Sequence, residues 1–267
     1  MSSAIKAFAE ERRSAIMDML ERNTSIQVAD IVQAFGVSSV TARADLDALA
    51  SAGKLRRTHG GAVSLHKTLT VSVQDQRVNV NVAAKQAIAR AALNLVHDGD
   101  TLFVDSGTTA LEFVRMLSSR SNITVITADI TIADFIDDSL PSVDVVMLGG
   151  TLRKGHRYLY GPLATSALDT LHTDLAIICP GAYVHERGFM TDFAQMAEVK
   201  AAAMASASTS AVLMDASKFG ARGTYRFAEL NAVDYIVVDQ DPEQRLAQTF
   251  DALGPTEVKP NLLIATE

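Results

Sequence analysis

The 267-residue sequence holds one cysteine, Cys179. A lone thiol excludes a disulfide framework and a thiolate metal cluster. Six histidines (His59, His66, His97, His156, His172, His185) are scattered, with no i, i+4 pair among them. Neither a metal nor another cofactor is therefore expected. No apolar run approaches the roughly 18 residues of a membrane helix. The first residues are polar, with no apolar signal core. These absences predict a cytoplasmic chain with no membrane partner. Internal repeats and low-complexity tracts are also missing.

What is present is 48% hydrophobic and 21% charged, the range of a globular chain. The length suits two domains. The net charge of -7 argues at first against nucleic acid, but it is unevenly spread. Residues 1–70 carry nine Lys or Arg and seven Asp or Glu, hence +2; residues 71–267 carry fifteen and twenty-four, hence -9. A weakly basic head on an acidic body suits a DNA reader joined to a module with another task.

Apolar spacing predicts helices over Ala9–Glu21 and Val28–Phe35, then a third that starts at the N-cap Ser38, carries Val40, Leu46 and Leu49, and ends at Gly53. Lys54–Arg57 and Gly61–Leu65 form a hairpin around His59-Gly60-Gly61. Three helices and a hairpin is winged helix-turn-helix order. The tight Phe35-Gly-Val-Ser38 turn favours the DNA-binding version over any other small three-helix domain. The third helix would then enter the major groove with Ser38, Ser39, Thr41, Ala42 and Arg43 at the DNA. The wing offers Lys54, Arg56, Arg57, Thr58 and His59 for backbone or minor-groove contact.

At these residues the chain resembles the DeoR-type bacterial transcription regulators. The resemblance lies in Phe35-Gly-Val-Ser-Ser-Val-Thr-Ala-Arg-Ala-Asp-Leu46 and Gly53-Lys-Leu-Arg-Arg-Thr-His-Gly-Gly-Ala62. The family usually has Thr-Ile-Arg-Arg-Asp-Leu in the reading helix. Here Ala42 and Ala44 leave Arg43 as its one long cation, so the Arg56–His59 wing is expected to carry more of the DNA affinity.

Residues 66–80 read as irregular and Asn81–His97 as a connecting helix. Beyond them apolar runs alternate with helical stretches, which implies βαβ units and a mostly parallel sheet. Strands are expected at Thr101–Asp105, Ile123–Thr127, Val143–Leu148, Asp174–Cys179, Ala211–Asp215, Tyr235–Asp239 and Leu262–Ala265. Helices are expected at Thr108–Leu117, Ile130–Asp137, Pro162–Leu171, Phe193–Ser206 and Pro242–Leu253. Asp105-Ser-Gly-Thr-Thr109 leaves a strand and opens a helix, where backbone N–H groups and hydroxyls can hold a phosphate. Arg153 beside Gly149-Gly150, Glu198 and Lys200 on one helix, and Asp215-Ala-Ser-Lys218 after a strand are further polar elements. Strand ends of such sheets converge on one crevice, so these residues suit a small phosphorylated polyol.

The resemblance continues here. The second half is similar to the DeoR-type sensor domain, which shares its fold with ribose-5-phosphate isomerase and glucosamine-6-phosphate deaminase. It implies that Ser106, Gly107, Thr108 and Thr109 bind the phosphate of a sugar-phosphate effector. Asp105, Gly149, Gly150, Arg153, Lys200, Asp215 and Lys218 are implied as further site residues. So are Thr127 and Asp129, although relatives often have Thr-Asn where this chain has Thr127-Ala-Asp129. Relatives often have Gly where Cys179 and Ala182 stand. The phosphate end thus looks retained and the sugar is open. His156, Arg157, Tyr158 and Tyr160 either cover the ligand or form a subunit interface.

The expectation is a DNA-binding head over 1–65, a linker and helix over 66–97, and an α/β sensor over 98–267. The chain would be a repressor of a carbohydrate catabolism operon, without a catalytic residue. Its partners would be operator DNA, a sugar phosphate and copies of itself in a homodimer or homotetramer. The alternative is a sugar-phosphate isomerase-like enzyme with a fused DNA-binding head, with Asp105, Asp129, Asp215 or Glu198 as base.

Overall fold

A computed structural model describes residues 9–23, 25–58, 60–64, 77–253 and 259–265. The chain divides into two compact units, Met1–Ser72 and Val73–Glu267.

In the first unit, helices α1 (Ala9–Asn23), α2 (Val28–Phe35) and α3 (Ser39–Ser51) share a core in which Ile16, Leu20, Ile31 and Leu46 are fully buried. Gly36 closes α2 at φ 62, a conformation that glycine adopts without strain. Ser38 caps α3, its hydroxyl accepting the Thr41 N–H at 3.1 Å. The expected hairpin forms as β2 (Leu55–Arg57) and β3 (Gly61–Ser64). A strand that the sequence pattern did not reveal, β1 (Ser25–Gln27), pairs with β3. It explains Gly61: a Cβ there would lie 1.9 Å from the Ile26 carbonyl oxygen. Close approach of β1, rather than a flexible turn, requires this glycine. Asp45 is buried on the inner side of α3 and accepts from Arg12 Nε at 2.6 Å and Arg13 Nε at 2.9 Å, tying α1 to α3. Desolvation offsets much of that attraction, so the contact fixes geometry more than it adds stability.

The second unit opens with α4 (Val82–Leu93) and continues β4 (Thr101–Val104), α5 (Thr108–Met116), β5 (Ile123–Thr127), α6 (Ile130–Ser139) and β6 (Val143–Met147). A hairpin of β7 (Thr151–Arg153) and β8 (Tyr158–Tyr160) leads to α7 (Pro162–Leu168) and β9 (Thr173–Ile178). Next come β10 (Ala182–Val184), β11 (Gly188–Thr191), α8 (Ala194–Ala205) and β12 (Ala207–Met214). The described chain ends with β13 (Tyr225–Ala228), β14 (Tyr235–Val238), α9 (Arg245–Ala252) and β15 (Asn261–Ile264). Seven strands form one parallel sheet in the order β15-β14-β12-β9-β4-β5-β6.

Side chains alternate across this sheet. Leu102, Val104, Leu175 and Ile177 face one core with Phe113 and Ile132. Phe103, Ala176 and Ile178 face the other with Leu168 and Val199. Both faces of the central strands are covered, which is why these read as continuous apolar runs rather than alternating ones; the edge strands β6 and β15 are more open.

All seven expected strands are present. The small antiparallel sheet β10-β11-β13 and the β7-β8 hairpin were not foreseen. Their strands have only three or four residues, too short for a pattern to show. The connecting helix also differs from expectation. As α4 it belongs to the second unit, with Ile88, Ala89 and Ala92 fully buried in its core. Most of the segment 66–80 expected to be irregular, up to residue 76, lies outside the described residues.

Candidate functional site

On the first unit, Ser38, Ser39, Arg43, Lys54 and Thr58 are exposed, and Thr41 is half-buried beside Ser38. Ala42 is fully buried, so it packs the head and faces no DNA. Val40 is 72% exposed, one helical turn before Arg43 on α3. Arg57 faces its own head: its Nε donates to Asp47 at 2.7 Å and its Nη1 to the Gly61 carbonyl. That engagement removes Arg57 from the freely presented wing cations. Its pairing with exposed Asp47 is of the weak surface kind. His59 and the Arg56 side chain lie outside the described residues.

In the second unit a cavity of about 310 Å³ opens where the parallel strands end. The β4–α5 turn forms part of its wall. Ser106, Gly107, Thr108 and Thr109 all line it. Gly107 has φ +132, which a side chain would strain. The first bond of α5 runs from Leu111 N–H to the Gly107 carbonyl at 3.0 Å. The N–H groups of Thr108 and Thr109 therefore lack an acceptor within the helix, and they sit at its positive end. Gly107 N–H is less available, since it donates to Asp129 Oδ2 at 3.3 Å.

Arg153, Lys200, Asp215 and Lys218 also line the cavity; five other expected residues do not. Asp129 is fully buried, caps α6 by accepting from Thr131 N–H (2.7 Å) and Ile132 N–H (3.2 Å), and braces Gly107. Thr127 Oγ1 accepts the Asp129 N–H at 3.1 Å and is itself fully buried. Asp105 lies beneath the turn, accepting from Lys200 Nζ and from the Cys179 N–H at 2.8 Å. Gly149 and Gly150 are exposed at the β7-β8 hairpin, where a Cβ on Gly150 would meet the Tyr160 carbonyl at 2.6 Å. These residues build the frame and leave the lining to others.

The lining that sequence reasoning missed begins before and within α4, at Arg77, Asn81 and Lys85. Asn81, left-handed at φ 54, donates to Asp215 Oδ1 at 3.1 Å. Lys85 Nζ donates to the Arg77 carbonyl at 2.6 Å. Burial pushes the Lys85 ammonium below the ordinary lysine range, and Asp215 partly offsets this. Burial alone would raise Asp215, but hydrogen bonds from Ser217 and Asn81 and the Lys218 charge outweigh it and hold the carboxyl below the usual range. One signal was legible: Lys85 falls on the apolar face of α4, three and four residues before Ile88 and Ala89.

His156 and Tyr158 line the cavity, while Arg157 turns outward to Asp134 and Thr131. Arg153 lies 4.2 Å over the Phe193 ring, donates to the Tyr158 hydroxyl, and has Asp192 at 3.7 Å. Cys179 is half-buried in the cavity lining. Burial, reinforced by the Asp105 charge, pushes its thiol from 9.0 up to about 12. At pH 8 the native thiol should therefore react with iodoacetamide about a thousandfold more slowly than in guanidinium, since the thiolate is the nucleophile. Equal rates in the two states would contradict this burial.

Among the described residues no group of three or more His, Cys, Asp or Glu could hold a metal ion, and no helix is long and apolar enough to cross a membrane.

A winged head with an exposed third helix, carried on the same chain as a parallel α/β unit, defines a helix-turn-helix DNA-binding protein. The DeoR-like helix-turn-helix domain matches residues 12–68 and the DeoR C-terminal sensor domain residues 80–240. The chain belongs to the DeoR family of transcriptional regulators. It is 32% identical over 247 residues to the HTH-type transcriptional repressor GlcR of Bacillus subtilis, covering 92% of this chain and 95% of that one. Against the transcriptional repressor AccR of Agrobacterium fabrum the identity is 30%, over 86% and 89% of the two chains. Among solved structures, ribose 5-phosphate isomerase A of Methanocaldococcus jannaschii aligns with 52% of this chain and 55% of its own, at TM-score 0.39 and 19% identity.

Proposed function

We propose that this regulator is a repressor of a carbohydrate catabolism operon whose hold on operator DNA is set by a phosphorylated sugar or polyol in the cavity of the second unit. The observation that carries the reading is the Ser106–Thr109 turn, with two N–H groups lacking helical acceptors in a cation-lined cavity. Such a turn binds a phosphate through backbone and hydroxyl donors. Ser38, Ser39, Thr41 and Arg43 would meet the DNA, and exposed Val40 adds an apolar group of the kind that meets a thymine methyl. Two heads in a homodimer or homotetramer would read repeated half-sites.

Arg77, Asn81 and Lys85 suggest how the ligand is felt. They line the cavity at the start of the second unit, in the stretch of chain that follows the head. A ligand that binds one placement of this wall better than another shifts the equilibrium between them by that difference in affinity.

The carboxylates favour a sensor over an isomerase. Asp105 and Asp129 are buried frame residues, and Glu198 is exposed outside the cavity. Asp215 is held ionised, which makes it a weak general base.

A thermal-shift screen of the full chain against sugar and polyol phosphates tests the reading, since a ligand of the folded state raises the melting temperature. A hit should also change mobility shifts with operator DNA; if no compound does either, the sensor reading falls. Arg43→Ala should weaken operator binding by about 1–3 kcal/mol. Unchanged affinity across several salt concentrations would remove Arg43 from the reading face.

A further inference from the structure

The cavity holds more positive charge than one phosphate requires. Among the described residues six cationic side chains line it, Arg77, Lys85, Arg153, Lys200, Lys218 and Arg222, against the two lining carboxylates Asp192 and Asp215. Lys200 is matched from below by Asp105, and Arg153 has Asp192. Counting Asp105, three carboxylates face six cations, which leaves about +3. A phosphate monoester carries about -1.5 to -2 at neutral pH, so it leaves about one charge unmatched. Arg77, Lys218 and Arg222 have no carboxylate within ion-pair distance among the described residues.

Lys218 and Arg222 come from a different strand end than the phosphate turn. Ser106–Thr109 follows β4, whereas Lys218 and Arg222 follow β12, and β9 lies between the two strands. Neighbouring strands are about 4.8 Å apart, so the two strand tips lie about 10 Å apart. The phosphate turn itself works through N–H groups and hydroxyls and needs no cation from the far side. A pentose or hexose phosphate spans this distance.

We propose that the effector is doubly anionic, with a phosphate in the Ser106–Thr109 turn and a second anion, carboxylate or phosphate, held at its other end by Lys218, Arg222 and Arg77. The inference rests on the sugar-phosphate reading above and narrows it to bisphosphates and phosphorylated sugar acids.

Calorimetry on the full chain with matched pairs tests it. Fructose 6-phosphate is compared with fructose 1,6-bisphosphate, and glucose 6-phosphate with 6-phosphogluconate. The doubly charged member of at least one pair should bind about tenfold tighter or better. The first pair reports a second phosphate and the second pair a carboxylate. The advantage should shrink with added salt. Arg222→Gln and Lys218→Gln should each lower affinity for the doubly charged compound about tenfold, and for its singly charged partner far less. If both members of each pair bind equally, the second-anion site is overturned and the sugar-phosphate reading stands. If none of the four binds, this inference falls, and the sensor reading is decided by the wider thermal-shift screen.

Discussion

Replacing Lys200 with methionine is expected to cost the second unit about 3–5 kcal/mol of stability. Lys200 is 3% exposed and Asp105 1%, so the substitution would strand a carboxylate away from water. The cost is that of an uncompensated buried charge, not the net worth of the ion pair. Lys200 Nζ also donates to the Cys179 carbonyl at 2.9 Å, and Asp105 accepts the Cys179 N–H at 2.8 Å. The pair thus ties α8 to the tips of β4 and β9, directly below the phosphate turn. Adding Asp105→Asn to Lys200→Met should recover most of the loss, because it removes the stranded charge while keeping an acceptor for Cys179. Urea unfolding of the two single variants, the double variant and the parent measures the coupling. A Lys200→Met loss below about 1 kcal/mol would mean that water reaches Asp105, contrary to its burial.

Ser106→Asp is expected to abolish the effector response while leaving operator binding intact. Ser106 lines the cavity and is half-buried, so a carboxylate fits there without displacing core. A negative charge near the first turn of α5 is favourable for that helix, so the fold should tolerate it. The same charge sits where the effector phosphate would bind, and like charges placed together cost several kcal/mol. At about 1.4 kcal/mol per tenfold, affinity should fall by about a hundredfold or more. The residues proposed to meet the DNA belong to the other unit. The measurable result is an unresponsive regulator: a normal mobility shift with operator that no sugar phosphate changes. Undiminished binding in the thermal-shift assay would place the phosphate away from the β4–α5 turn.

These two positions were not equally legible. The Asp105–Thr109 turn was visible because small and hydroxylated residues at the end of an apolar run announce a helix N-terminus. The seven strands were visible because short β-branched and aliphatic stretches recur between helical ones, and the central strands, buried on both faces, are almost wholly apolar. The three short helices and the hairpin were visible because glycines, an N-cap and apolar spacing are local signals. So the sequence alone determined two modules and their class, together with the β4–α5 turn that opens onto the cavity.

What each polar residue does at its place was decided by tertiary structure. Asp129 and Thr127 look like site residues by position, yet they turn inward to cap α6 and brace Gly107. Lys200 and Asp105 are partners across 95 residues of chain, which no local pattern links. Asp45 anchors two arginines of α1 from within α3. Arg77, Asn81 and Lys85 belong to a stretch that read as connector and helix, and packing makes them a wall of the cavity. The reason is physical. Secondary structure follows from near neighbours along the chain, whereas a charge acquires its role from whichever strand tip or helix the folded core brings beside it.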